Sequence, residues 1–108
     1  MKILGIDFSV KSRFLRFAIR SPKWSSVRKQ HLKDNPFCAA CGRYAKLEVH
    51  HIEPVHVNPS RELDPSNLVT LCDNPCHIIF GHLMNYKSWN INVISDCQNY
   101  LHKIIHRP

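Results

Sequence analysis

Residues 47–54 read LEVHHIEP, an apolar-alternating run that ends in two adjacent histidines. Leu47 and Val49 fall on one face of a strand and Glu48 on the other. The same geometry sends neighbouring side chains to opposite faces, so His50 and His51 would part, one to the core and one to water. Two imidazoles just before Glu53 and Pro54 can instead serve one site if the strand bends where it ends. The surroundings must decide between chance, in a chain with eight histidines, and a shared role.

Upstream, FCAACG carries Cys38 and Cys41 as C-x2-C; downstream, CDNPC carries Cys72 and Cys76 as C-x3-C. Two such pairs separated by a strand, a loop and a strand suit a tetrahedral four-thiolate zinc site. Each turn offers two sulfurs, and the ion clips distant parts of the chain together. Paired spacing favours zinc over an iron–sulfur cluster. Asp73 or His77 could replace one thiolate. Such a zinc is expected to be structural, its binding energy part of the folding energy. Cys97, the fifth cysteine, is expected to fill the apolar face of the last helix.

The chain has 108 residues, enough for one small domain, whose modest core a metal often supplements. Fifteen Lys and Arg against eight Asp and Glu give a formal charge of +7, which points to a polyanionic partner, nucleic acid before a membrane surface. No run approaches the roughly 18 apolar residues of a membrane span. The first twenty residues are broken by Asp7, Lys11, Arg13 and Arg16 and make a poor signal peptide. An odd cysteine count argues against a disulfide framework and for a reducing, cytoplasmic setting.

Residues 1–20 form a basic arm, readable as a short strand followed by an amphipathic helix. The remainder, 21–108, is read as one domain with its core at 24–89 and a C-terminal helix over about 91–106. Ser21 and Pro22 suit the N-cap and first position of a helix that Pro36 ends. The stretch 46–52 reads as a strand, 53–67 as a loop rich in Pro, Asn, Asp and Ser, and 67–72 as a second strand. PCHIIFGHLMNYKSW reads as a helix with Pro75 near its start. Val93, Cys97 and Ile104 recur at helical spacing in the last segment.

Taken in order, LEVHHIEP, then LDPSNLVTLC, then the Cys76-His77 pair resemble the HNH endonuclease family, and CHIIFGHL reads like the helix of small phage-type and bacterial members. The resemblance covers roughly residues 24–89. It implies an α+β, ββα-metal fold carrying the four-cysteine zinc site and flanked by N- and C-terminal helices; periodicity alone supports only strand, strand and helix. It implies metal-dependent hydrolysis of phosphodiester bonds in DNA. By position, His50 and His77 become ligands of a catalytic divalent cation (Mg²⁺, Mn²⁺, Ni²⁺ or Zn²⁺). His51 becomes the general base that activates water, and Asn67 completes the catalytic set by bracing the loop near the histidines. Some members carry a further ligand one helical turn after His77, where this chain has Gly81. His82 lies five residues from His77, and five residues of ideal α-helix rotate by about 140° net, which would point it away unless the helix is distorted. A phosphate contact or a packed polar residue is the alternative for His82. His56 has no clear assignment; His31, His102 and His106 are expected on the surface or on helix faces.

Arg28, Lys29, Arg43 and Lys46 are expected to hold the DNA backbone without reading sequence. The competing interpretation is a zinc-stabilised nucleic-acid-binding module without catalysis. That interpretation needs none of His50, His51, Asn67 or His77. One HNH unit has one catalytic centre, so a monomer is expected to nick. Double-strand cleavage needs a homodimer, a larger assembly or two successive events. The expected setting is the cytoplasm of a bacterial or phage-infected cell.

Overall fold

The computed structural model describes residues 2–3, 6–7 and 20–108. Lys2–Ile3 (β1) pairs antiparallel with Ile6–Asp7 (β2). The amphipathic helix expected in the basic arm falls outside the described residues. Then follow the helix Trp24–Asp34 (α1), the strands Leu47–His51 (β3) and Leu68–Cys72 (β4), a π-helical segment His77–Gly81, and the helix Val93–Ile105 (α2). The architecture is α+β: a two-stranded antiparallel sheet with helices before and after it.

α1 starts two residues later than Ser21 and Pro22 suggest. Its N-cap is Lys23, and residues 22–23 form a turn. Ser21 secures that turn instead: its Oγ accepts from the Lys23 N–H (3.2 Å) and its carbonyl from the Trp24 N–H (2.9 Å).

In the β3–β4 hairpin Leu47 pairs with Cys72, Val49 with Thr70, His50 with Val69 and His51 with Leu68. β4 is buried along its whole length, so its apolar residues do not alternate with exposed ones, and its one polar side chain, Thr70, donates to the Asn35 carbonyl (2.9 Å). The 3₁₀ turns Pro59–Arg61 and Pro65–Asn67 shape the loop between the strands. At the second, the Asp64 side chain accepts from the Ser66 N–H, which fixes where β4 starts.

The apolar core is small. Leu71 and Val93 are fully buried, Leu47, Ile52 and Phe80 pack around them, and Cys38, Cys72, Cys76 and Cys97 are among its members. A core this poor in large side chains leaves a real role for a metal cross-link. Burial pushes the Cys97 thiol up to about 12, so it stays a neutral packing group on α2. No helix among the described residues is long and apolar enough to cross a membrane.

The largest departure from the sequence-based expectation lies after Cys76. The long helix expected over residues 75–89 is only the five-residue π-helical segment. The carbonyls that a continuing helix would use are taken by Asn90. Its backbone N–H donates to Gly81 (3.0 Å) and its side-chain amide to Phe80 (3.0 Å). The chain reverses through Leu83 and Met84, both at positive φ (53° and 70°), and the Met84 N–H reaches back to the Ile78 carbonyl at 2.8 Å.

Candidate metal centres and active-site cleft

The sulfurs of Cys38, Cys41, Cys72 and Cys76 lie within 4.8 Å of one another. Cys41 Sγ and Cys72 Sγ are 3.9 Å apart, close to the edge of about 3.8 Å expected of a tetrahedron with zinc–sulfur bonds near 2.3 Å. The first pair sits on a tight knuckle: the Gly42 N–H donates to the Cys38 carbonyl (2.9 Å), and the Cys38 N–H donates to the Arg43 carbonyl (3.0 Å). Gly42 permits this with φ 76°. The second pair leaves the end of β4. Four cysteines are thus positioned to hold a metal, with neither Asp73 nor His77 among them.

Arg43 donates from Nε to Cys41 Sγ (3.2 Å) and from Nη2 to Cys72 Sγ (3.6 Å) and the Asn74 carbonyl (3.3 Å). Burial raises the Cys41 thiol, but the Arg43 guanidinium outweighs it and holds Cys41 down at about 6. Burial pushes Cys38 and Cys76 upward. A buried cluster in which some thiols resist ionisation is made stable in its thiolate form by a cation. Arg43, expected on DNA, is exposed and hydrogen-bonds to the sulfur cluster. Lys46 is exposed and lies 3.7 Å from Asp73. Arg28 is half-buried and Lys29 exposed on α1.

A second group gathers where β3 ends. One ring nitrogen from each of His50, His77 and His82 lies within 4.8 Å of the others. His50 Nδ1 and His77 Nε2 are 3.1 Å apart, near the separation of about 3.3 Å for two nitrogens on one tetrahedral ion. His50 Nε2 is buried with no hydrogen-bond partner. A buried imidazole whose one partner is a second imidazole, and whose other nitrogen has none, fits a cation-binding role better than a packing role. Burial first, then His77 and His82, depress His50 to about 3; burial likewise lowers His77. Both rings are therefore neutral at physiological pH, the form that binds a metal.

His82 does not point away. A π-helical turn closes five residues on rather than four, which returns residue 82 to the side of residue 77. The two rings are 4.9 Å apart. His82 Nδ1–H donates to the Ser88 carbonyl (2.7 Å), which fixes the tautomer and leaves the Nε2 lone pair free, as outer-sphere bonds to metal-bound histidines do. Gly81 is required beneath them. A Cβ there would sit 3.0 Å from His50 Cε1, 3.1 Å from Nδ1 and 3.2 Å from Nε2.

His51 lines the same cleft. Its ring packs on Trp24 of α1, with centroids 4.6 Å apart. Its Nε2–H donates to the Glu62 carbonyl (2.8 Å), so in the neutral ring Nδ1 carries the lone pair. Burial lowers its basicity, the Glu62 bond partly offsets that, and Arg20 lowers it further. Beyond His51 the chain bends at residues 52–53, and both histidines line one cleft of about 210 Å³ together with His77 and His82.

Asn67 is not in the cleft; it is completely buried (0 % exposed). Its Oδ1 accepts from the Glu53 N–H (2.8 Å) and its Nδ2 donates to the carbonyls of Glu53 (3.0 Å) and Arg61 (3.2 Å). It ties the start of the loop after His51 to Arg61 further along, and with no exposed surface it is placed to brace that loop.

The model of the HNH endonuclease family matches residues 38–81. The matched segment runs from the first cysteine of the sulfur cluster to the glycine beside His50, and it stops one residue before His82. No curated protein and no solved structure matches the chain.

Some cleft residues escape the sequence reading. Arg20 lines the cleft beside His51, its guanidinium 5.7 Å from the Trp24 ring. Tyr86, Lys87 and Trp89 also line it, and His56 stands edge-on to Trp89 at 6.0 Å. Only the arm's basic character hints at Arg20; Tyr86 and Trp89 disappear into an expected helix. His31 is half-buried with its Nε2 unpartnered, while His102 and His106 stack on the exposed face of α2.

Proposed function

We propose that the protein is a metal-dependent HNH endonuclease that hydrolyses phosphodiester bonds in DNA. The observation that carries this reading is the convergence of His50, His77 and His82 in a cleft that His51 also lines. A structural metal module would need the sulfur cluster and nothing more.

In this reading His51 accepts a proton from the attacking water at Nδ1. Its Nε2–H bond to Glu62 holds the ring in the tautomer that can do so, and Trp24 fixes its plane. The depressed basicity of His51 keeps it unprotonated at neutral pH. His50, His77 and His82 would hold the cation through neutral nitrogens, with Ser88 orienting His82. A divalent cation at that position supplies charge stabilisation at the phosphate and at the leaving oxygen. Three imidazoles favour a nitrogen-loving ion such as Zn²⁺ or Ni²⁺ over Mg²⁺, which prefers oxygen. Arg20, on the edge of the cleft, is placed to meet a phosphate oxygen. The net charge of +7 suits a polyanion, and binding should weaken steeply with salt.

The test is plasmid nicking with each of Zn²⁺, Ni²⁺, Mn²⁺ and Mg²⁺, and with chelator. His51→Ala should reduce the rate by about 10²- to 10⁴-fold, the usual contribution of a general base, while metal and DNA binding persist. Absence of metal-dependent nicking under all these conditions would leave the zinc-stabilised binding module as the better account.

A further inference from the structure

The loop between His82 and Asn90 lies beyond the segment that matches the HNH family, so its chemistry has to be read from its own residues. It is pinned at several points. The Asn90 N–H donates to Gly81 (3.0 Å), His82 donates to Ser88 (2.7 Å), the Ser88 N–H donates to the Asn85 carbonyl (2.8 Å), and the Lys87 N–H donates to Asn85 Oδ1 (2.9 Å). Asn90 is tied in turn to α2 through Asp96 Oδ2 (2.7 Å).

This fixed loop holds out two aromatic rings. Tyr86 is 67 % exposed and Trp89 is 37 % exposed, yet both line the histidine cleft. Tyr86 stands 4.9 Å from the His82 ring and 6.1 Å from His77. Lys87 lies between them in sequence and Arg20 is on the same cleft. Large aromatic faces left open to water beside cationic side chains are the elements of a base-stacking platform, where every base offers a π-face and the charges follow the backbone. Leu83, Met84 and Ile91 are also exposed nearby but do not line the cleft, so an apolar protein partner is the poorer match.

We infer that Tyr86 and Trp89 stack an unpaired base of the substrate next to the histidine cluster, so that the preferred substrate is a strand with unpaired nucleotides beside the scissile phosphate rather than a fully paired duplex. This rests on the nuclease reading above for its scissile phosphate, but not for the binding event. Stacking between stiff rings needs an accessible base face, which a paired base inside a duplex does not present. Because Ser88 bonds to His82 within the same loop, a base seated on Tyr86 and Trp89 would be held in register with the cluster.

The test uses three oligonucleotides: a single strand, a perfect duplex, and a duplex with a short internal unpaired loop. Binding is followed with metal-loaded His51→Ala protein by quenching of intrinsic fluorescence, comparing Trp89 with Trp89→Phe to isolate the Trp89 signal. The expected result is quenching of Trp89 by the single strand and the looped duplex, with binding weakened about 5- to 150-fold by Tyr86→Ala or Trp89→Ala, the range for one stacked base, and largely restored by Tyr86→Phe or Trp89→Phe. Cleavage by the otherwise unaltered protein should follow the same order of substrates. Tighter binding of the perfect duplex, with both alanine variants within twofold of the parent, would overturn the inference and leave the nuclease reading intact. Loss of concentration-dependent self-association in those variants, with oligonucleotide binding unchanged, would also overturn it. Failure to cleave any of the three would count against the nuclease reading, while the quenching would still judge the platform.

Discussion

Gly81→Ala is the smallest change that should separate the stability of this domain from its histidine site. The added methyl would lie 3.0–3.2 Å from three atoms of the His50 ring. Carbon atoms rest comfortably at about 3.5–4.0 Å, so the ring must retreat by roughly half an ångström. It is buried against His77 and cannot yield toward solvent. Metal ligation tolerates about 0.2 Å, so the displacement exceeds what a bound cation accepts. Cation affinity should fall by about 10- to 100-fold, the scale seen when the geometry around a metal-binding histidine is spoiled. Stability should move much less. Overpacking costs about 1–3 kcal/mol, while replacing glycine by alanine in a helical segment returns up to about 1 kcal/mol. Calorimetric titration of the cation measures the first effect, thermal denaturation the second, and plasmid nicking the consequence. Unchanged cation affinity with unchanged nicking would refute the argument that Gly81 makes room for a metal-binding His50.

Three further perturbations probe other parts of the molecule. Cys41→Ser should remove bound metal, about one ion per chain, and lower the melting temperature, as metal analysis and thermal melts will show; an unchanged metal content would mean that the sulfur cluster holds none. Asn67→Ala leaves the partly buried Glu53 N–H without its acceptor and should cost about 1–3 kcal/mol, several degrees in a domain of this size, with nicking reduced through loss of loop position; a melting temperature within a degree of the parent would contradict this. Acidification should destabilise the protein in a defined window. His50 is depressed from 6.5 to about 3, so stability is fully present above pH 6.5 and is lost as pH falls toward 3, at up to about 1.4 kcal/mol per pH unit. His51 and His77 shift in the same direction, and the slope should shrink in His50→Gln; a flat profile between pH 7 and 4.5 would count against a buried neutral His50.

The legible parts of the molecule are those governed by short spacing. The two cysteine pairs, the two strands and the last helix follow from local pattern, and each lies where the sequence suggests. His82 is legible only as a question. Its position turns on whether the helix closes after four residues or five, and that depends on Asn90, eight positions downstream, taking the carbonyls of Phe80 and Gly81. Arg43 resembles any loop arginine, because nothing nearby in sequence reveals that two sulfurs will meet its guanidinium. The carbonyl that sets the tautomer of His51 belongs to Glu62, eleven residues away, and a main-chain acceptor leaves no signature in side-chain identity. Asn67 is a milder case: the resemblance of its motif points to a loop brace, and its full burial and its bonds to Glu53 and Arg61 agree with that.

Cys76 and His77 are neighbours in the chain, one in the sulfur cluster and the other in the histidine cluster. A single peptide link therefore joins what stabilises the fold to what would do its chemistry. A nascent or damaged chain whose cysteines are not yet gathered cannot place His77 opposite His50. Such a chain would lack the histidine site, so any activity of that site would depend on the sulfur cluster forming first. If the nuclease reading holds, that ordering acts as a built-in safeguard.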